Sequence, residues 1–129
     1  VMEGTDLTLI TYGATVERSA RAARKIAEES GASVEILDLR SLAPFDWEAI
    51  EASVRKTGKV LVVHEDCLSF GFGAELAALI ADRLFDYLDG PVRRVGATDT
   101  FCAYQPTLEE VILPQVATIH AALEDLLRY

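Results

Sequence analysis

Four consecutive residues carry most of the reactive chemistry in this chain. His64-Glu65-Asp66-Cys67 sets an imidazole, two carboxylates and a thiol side by side. An imidazole beside a carboxylate can serve as a general base, and a thiol beside an imidazole can serve as a nucleophile. A plainer reading stands next to these. Neighbours on an extended chain point to opposite sides, so adjacency does not bring His64 to Cys67. His64 and Glu65 suit a structural or interface position as well as a composite active site, and Cys67 without a companion motif is expected to be a buried or incidental thiol.

The run Phe70-Gly71-Phe72-Gly73 follows at once. It has the glycines of a phosphate-binding turn but not the full G-x-G-x-x-G pattern. It reads equally as a turn that lets a helix approach a sheet or another subunit closely, with Phe70 and Phe72 as candidate contact residues if exposed. Metal chemistry has little to draw on: His120 is remote from His64, and Cys67 and Cys102 are 35 positions apart, so no closely spaced ligand pair exists. Near the C-terminus, Asp82, Asp86 and Asp89 form an acidic group that reads as a solvated face or a partner site. Leu126-Leu127-Arg128-Tyr129 ends in an aromatic ring beside a carboxylate, able to fill a groove, face arginines or seal the last helix.

These groups need elements to hold them. Leu7 to Tyr12 and Val34 to Leu39 have the β-branched and alternating character of strands. Between them Val16, Ala20, Ala23 and Ala27 recur at helical spacing, with Glu17/Arg21, Arg24/Glu28 and Lys25/Glu29 as opposite-charge i,i+4 pairs, and Gly31 as the stop. Strand, helix and strand make a βαβ unit. Asp46 is placed to cap a second helix reaching Gly58. Val60 to Val63 is a continuous apolar run, as in a strand covered on both faces. A third helix is expected over Gly73 to Tyr87, with Leu76, Leu79, Ile80, Leu84 and Tyr87 as its apolar stripe. Asp89-Gly90-Pro91 breaks the chain before a fourth strand, Val92 to Val95. Gly96 to Pro106 reads as loop, and two helices follow, from Thr107 and over Pro114 to Leu127. The sum is one three-layer α/β/α domain over residues 1–129.

Composition narrows the function. The chain has 129 residues, 50% hydrophobic, with 12 Lys and Arg against 21 Asp and Glu for a net charge of −9. That is enough apolar residue for one core and too acidic for a phosphate backbone, so nucleic acid is set aside. No apolar window suits a membrane span. Up to Glu65 there are 8 basic and 11 acidic residues, and beyond it 4 and 10, so the second half should attract basic partners. Two cysteines with no recognisable secretory leader argue for a reducing compartment.

Taken in order, Gly13, Val34 to Pro44, Val62-Val63-His64-Glu65, Gly71-Phe72-Gly73-Ala74-Glu75, Pro91-Val92-x-Arg94-Val95, Asp99-Thr100 and Leu113-Pro114 resemble the C-terminal domain of the E1 β subunit of thiamine-diphosphate-dependent 2-oxo acid dehydrogenases, of the pyruvate or branched-chain type. The wider group includes transketolase and deoxyxylulose-phosphate synthase. Asp66-Cys67 and Phe101-Cys102-Ala103-Tyr104 depart from the family's usual residues.

The resemblance implies a mostly parallel five-stranded sheet whose antiparallel edge strand ends at Val1 to Gly4, and a chain that is a piece of a longer E1 polypeptide. It implies that thiamine diphosphate and magnesium are held by other E1 regions, with none expected in this piece. Its implied partners are the E1 α subunit or remaining E1 domains, a second E1 β subunit, and the basic subunit-binding domain of the E2 acyltransferase. Asp89 and Tyr129 are the docking candidates for E2, and His64, Glu65, Phe70 and Phe72 the interface or composite-site candidates. The implied setting is bacterial cytoplasm, or the mitochondrial matrix in a eukaryote. Rival readings are a free-standing interaction module of the same fold, the C-terminal domain of another thiamine-diphosphate enzyme such as transketolase or deoxyxylulose-phosphate synthase, and a small hydrolase or transferase using His64 and Cys67.

Overall fold

A computed structural model describes residues 1–129. Its strands are β1 (Leu7–Thr11), β2 (Val34–Asp38), β3 (Val60–Cys67) and β4 (Arg93–Ala97). Its α-helices are α1 (Thr15–Ser30), α2 (Trp47–Thr57), α3 (Phe72–Arg83), α4 (Pro106–Ile112) and α5 (Val116–Leu127). The strands form one sheet in the order β2-β1-β3-β4. All three pairings are parallel, with Thr11 opposite both Asp38 and Val63, and Val63 opposite Val95.

The expected fifth, antiparallel strand is reduced to a single bridge, Met2 to Ile36, on the outer edge of β2. There the Ile36 amide donates to the Met2 carbonyl at 2.9 Å and the Val1 ammonium to the Ile36 carbonyl at 2.8 Å. Gly4 then lies so close to the Val34–Glu35 backbone that a β-carbon would stand 2.4 Å from it. The sheet is therefore four parallel strands with one antiparallel contact.

The apolar residues of the strands divide between two faces. On one, Leu7, Leu9, Val34, Ile36, Leu61 and Val63 meet Ala23 and Ile26 of α1 and Ile119, Leu123 and Leu126 of α5. On the other, Ile10, Val60 and Val62 meet Ile50 and Val54 of α2 and Leu76, Ile80 and Leu84 around α3. This is the three-layer arrangement in which parallel strands are covered twice. Local signals act as expected at two helix ends. Asp46 Oδ1 accepts from the Ala49 amide at 3.0 Å, and Gly31 closes α1 at φ 74°. Thr8 on β1 shares buried hydroxyl contacts of 2.6 and 2.7 Å with Ser53 and Thr57 on α2.

Two boundaries and some side-chain pairings differ from expectation. Strand β3 runs four residues past Val63, because Cys67 still pairs with Ala97 across a register shift. Helix α3 ends at Arg83, and Phe85–Tyr87 form a separate 3-10 turn. Tyr87 leaves the apolar stripe and accepts a 2.8 Å hydrogen bond from Arg55, whose guanidinium also lies 4.3 Å from the ring centre. Of the three charge pairs expected on α1, Lys25–Glu29 closes at 3.7 Å, while Arg18 reaches out to Glu65 at 3.8 Å and to the Pro114 carbonyl at 2.9 Å.

Candidate functional site

The direction of the crossovers reverses between β1 and β3. In a parallel sheet that reversal opens a crevice at the carboxyl ends of the strands, the usual place for a ligand. Here the crevice is filled by side chains. Tyr12, just beyond β1, stacks on His64 of β3 with ring centres 6.2 Å apart and planes 12° from parallel. Phe72 meets Tyr12 edge-on at 5.9 Å, Phe45 meets Phe72 at 5.9 Å, and Trp47 meets Phe45 at 6.4 Å. The geometries are those favoured by aromatic quadrupoles.

His64 is fully buried. Its Nδ1 lies 3.1 Å from the Asp66 carbonyl, and since a carbonyl only accepts, Nδ1 carries the proton. Nε2 is then an acceptor, buried without a partner. Two glycines make the space: a β-carbon on Gly73 would stand 2.0 Å from Nε2, and one on Gly96 3.0 Å from Cε1. Burial pushes the imidazole pKa below its ordinary value of 6.5, with Arg94 acting in the same direction. No hydrogen bond joins His64 to Cys67, which is exposed, so of the two expectations for that thiol the buried one does not hold. Burial also raises the Tyr12 phenol, assisted by the charges of Asp66 and Glu65.

The carboxylates beside His64 hold the loops. Asp66 accepts from the Phe72 amide at 3.0 Å and the Cys67 amide at 2.8 Å, which keeps its pKa below the ordinary carboxylate value. It thereby caps α3, whose own N-cap is Gly71 and has no side chain to offer. Across the β3–β4 edge, Asp99 accepts from the Ser69 hydroxyl and amide at 2.5 and 2.9 Å, which likewise lowers its pKa. Arg94 Nη1 donates to the Leu68 carbonyl at 2.5 Å, and the Leu68 amide donates to the Ala97 carbonyl at 3.0 Å. Glu65 is exposed beside Arg18.

The loop from Cys67 to Gly71 is thus clamped from both sides. At its tip Phe70 is fully exposed and takes φ 61°, the left-handed region that ordinary side chains avoid. Phe101 and Tyr104 on the next loop are also almost entirely exposed. Phe72, by contrast, is half-buried in the aromatic row. Of the four residues proposed for this edge, His64 and Phe72 face inward, and Glu65 and Phe70 face solvent. Tyr12 and Ser69 are not among the sequence candidates, and Arg94 enters only within the Pro91-Val92-x-Arg94-Val95 resemblance. The one signal for Ser69 is its type, since short polar side chains in loops bond backbone groups, while Asp99 is also part of the Asp99-Thr100 resemblance.

At the opposite end of the sheet the structure brings Asp89 and Tyr129 together. Both line a shallow groove of about 470 Å³ with Phe85, Leu88, Pro91 and Val92. The Tyr129 ring rests over Gly90, where a β-carbon would lie 3.2 Å from Cγ. Of the basic residues nearby, Arg93 stands 3.5 Å from Asp125 and Arg128 stands 2.9 Å from Glu124.

These residues do not fit a diphosphate and its magnesium ion. Both oxygens of Asp66 and both of Asp99 are taken by Phe72, Cys67 and Ser69, no three His, Cys, Asp or Glu side chains converge as ligands, and the crevice is occupied by aromatic rings. No helix is long and apolar enough to cross a membrane.

Residues 1–119 match the family described as the transketolase C-terminal domain. The chain is 39% identical over 126 residues to the pyruvate dehydrogenase E1 component subunit beta, mitochondrial, of Saccharomyces cerevisiae, covering 97% of this chain and 34% of that one. It is 40% identical over 126 residues to the 3-methyl-2-oxobutanoate dehydrogenase subunit beta of Mycobacterium tuberculosis, covering 97% and 36%. A solved structure described as a split-gene transketolase, an inactive beta4 tetramer, superposes with a TM-score of 0.83 at 29% identity, covering 98% of this chain and 41% of that one. The chain spans about a third of the length of these curated relatives.

Proposed function

The chain belongs to the transketolase C-terminal domain family, and on that premise we propose that it is the assembly and partner-docking domain of an E1 component. The parent enzyme oxidatively decarboxylates a 2-oxo acid and passes the acyl group to lipoyl-E2. Thiamine diphosphate and magnesium sit in other regions of that enzyme. The setting is bacterial cytoplasm or the mitochondrial matrix.

The observation that supports this best is the use made of the polar groups at the carboxyl edge. Asp66, Asp99 and Arg94 are engaged in holding loops, and His64 is sealed, while Phe70, Phe101 and Tyr104 face outward. Groups arranged to hold a surface, with aromatic rings displayed on it, favour association over chemistry. Its partners there are the E1 α subunit or the remaining E1 domains, and a second β subunit. The groove at Asp89 and Tyr129 receives the basic subunit-binding domain of E2. With Arg93 beside Asp125 and Arg128 beside Glu124, the carboxylates of Asp89 and the C-terminus set the sign of that end, which steers a basic partner.

The test titrates assembled E1 with the E2 subunit-binding domain by calorimetry at rising salt. Affinity should fall with ionic strength. Asp89→Lys, or removal of Tyr129, should weaken binding about tenfold or more at low salt. Binding indifferent to salt and to both changes would reject this role for the groove.

A further inference from the structure

The ends of β3 and β4, at the edge that displays Phe70, Phe101 and Tyr104, also carry both cysteines. Cys67 is the last residue of β3 and pairs with Ala97, the last residue of β4. Two residues on from each, Ser69 and Asp99 are joined by two hydrogen bonds, so the two chain segments run side by side. Cys102 lies three positions past Asp99. Both cysteines are exposed, and both line one cleft of about 210 Å³ with Ala97, Phe101, Ala103 and Ile112. The cleft is thus the one place where the two cysteines meet a common space.

The segment bearing Cys102 is free to adjust. The Thr100 amide bonds the Thr98 carbonyl, and the next backbone bonds are those to the Gln105 carbonyl at the start of α4. Residues 101 to 104 make none. A disulfide requires the two Cα atoms to come within about 7 Å, and a segment without backbone hydrogen bonds opposes such a movement least.

We propose that Cys67 and Cys102 are a redox-responsive pair, which a peroxide converts into one intramolecular disulfide strapping the Phe101–Tyr104 segment to the end of β3. One thiolate attacks a peroxide oxygen. The O–O bond breaks, an S–O bond forms, and the departing oxygen takes a proton to leave as water. The second sulfur then displaces the hydroxyl group of this sulfenic acid. The S–S bond forms, the S–O bond breaks, and a second water carries away the remaining thiol proton. Two electrons pass from the sulfurs to the peroxide. The pairing shares its edge with the proposed association surface, but it needs only the two thiols and their cleft, so its test on the unassembled chain is independent of that reading.

Mass spectrometry on the full chain tests it directly, because trypsin isolates the cysteines on different peptides, residues 60–83 and 95–128. After mild hydrogen peroxide, the expected product is these two peptides linked, two hydrogens lighter than their sum and separated again by a phosphine reductant. Linking in the native protein should outpace linking in denaturant by about tenfold, because the fold supplies the local thiol concentration. Cys67→Ser and Cys102→Ser should each abolish the linked peptide while leaving the circular dichroism spectrum and Tm unchanged. Cross-linking between chains alone, over-oxidation of the separate thiols, or a linked peptide that forms no faster in the native state would overturn the proposal.

Discussion

Gly73 and His64 occupy one another's space. A β-carbon at position 73 would stand 2.0 Å from His64 Nε2 and 3.2 Å from Val62 Cγ1, so the imidazole can lie flat beneath α3 only because residue 73 has no side chain.

Gly73→Ala should therefore destabilise the domain by about 2 kcal/mol, the usual cost of forcing one carbon into a packed core. His64→Ala removes the opposing ring, so the double variant should be less destabilised than the sum of the singles by at least about 1 kcal/mol. Urea unfolding of the four proteins measures the coupling, and strict additivity would disprove it.

The buried imidazole also sets a pH dependence. Its pKa is lowered in the fold, chiefly by burial, so between the folded value and 6.5 the unfolded chain binds more protons and stability rises with pH. Acidification through that window should weaken the fold. A second decline should follow below about pH 4. There Glu35 and Asp6 lose the contacts that lower their pKa values. For Glu35, burial acts upward and is outweighed by hydrogen bonds from Lys56 and Ser53. For Asp6, the backbone and hydroxyl bonds of Ser33 dominate. His64→Asn keeps a donor for the Asp66 carbonyl and cannot titrate. Thermal scans from pH 7 to 5 should show the first decline in the parent and none in the variant.

Asp66 does the work of an N-cap from outside the helix it caps. Asp66→Ala should cost about 1 to 2 kcal/mol and speed amide exchange at Cys67 and Phe72. Asp66→Asn, which keeps one accepting oxygen, should recover part of that loss. Hydrogen exchange read by NMR distinguishes the two, and an unchanged Phe72 amide would show that the clamp is dispensable.

Phe70 separates stability from association. Its ring is fully exposed and its backbone left-handed, so Phe70→Gly removes no packing and relieves about 1 kcal/mol of backbone strain. The variant should melt higher than the parent, yet assemble with the rest of E1 at least about tenfold more weakly in sedimentation experiments. A variant that melts higher and assembles as well as the parent would leave the exposed ring without a partner.

The sequence made the parallel sheet legible where local chemistry and tertiary packing agree. Val60 to Val63 reads as doubly covered and is, and Asp46 and Gly31 end helices by mechanisms that act within one turn. It misled where an element outruns its apolar signature. Cys67 continues β3 on backbone pairing alone, and Tyr87 keeps helical spacing although the helix has already stopped at Arg83. The edge strand expected at Val1 to Gly4 survives as one bridge. At the site, Asp89 and Tyr129, 40 positions apart and paired only by the resemblance, share a groove. His64 and Cys67, neighbours in sequence, are divided by burial, because what seals the imidazole is contributed by Gly73 and Gly96, nine and 32 positions away. Distances of that kind leave no periodic trace.

All four strands point the same way, so the molecule has two unlike poles. Phe70 crowns one and Tyr129 the other, with the five residues of β4, about 17 Å at the usual rise, as the shaft between them. Two bodies gripping opposite poles do not compete for room, and each is held at a set distance from the other. A slab built this way acts as a spacer whose length is written in hydrogen bonds.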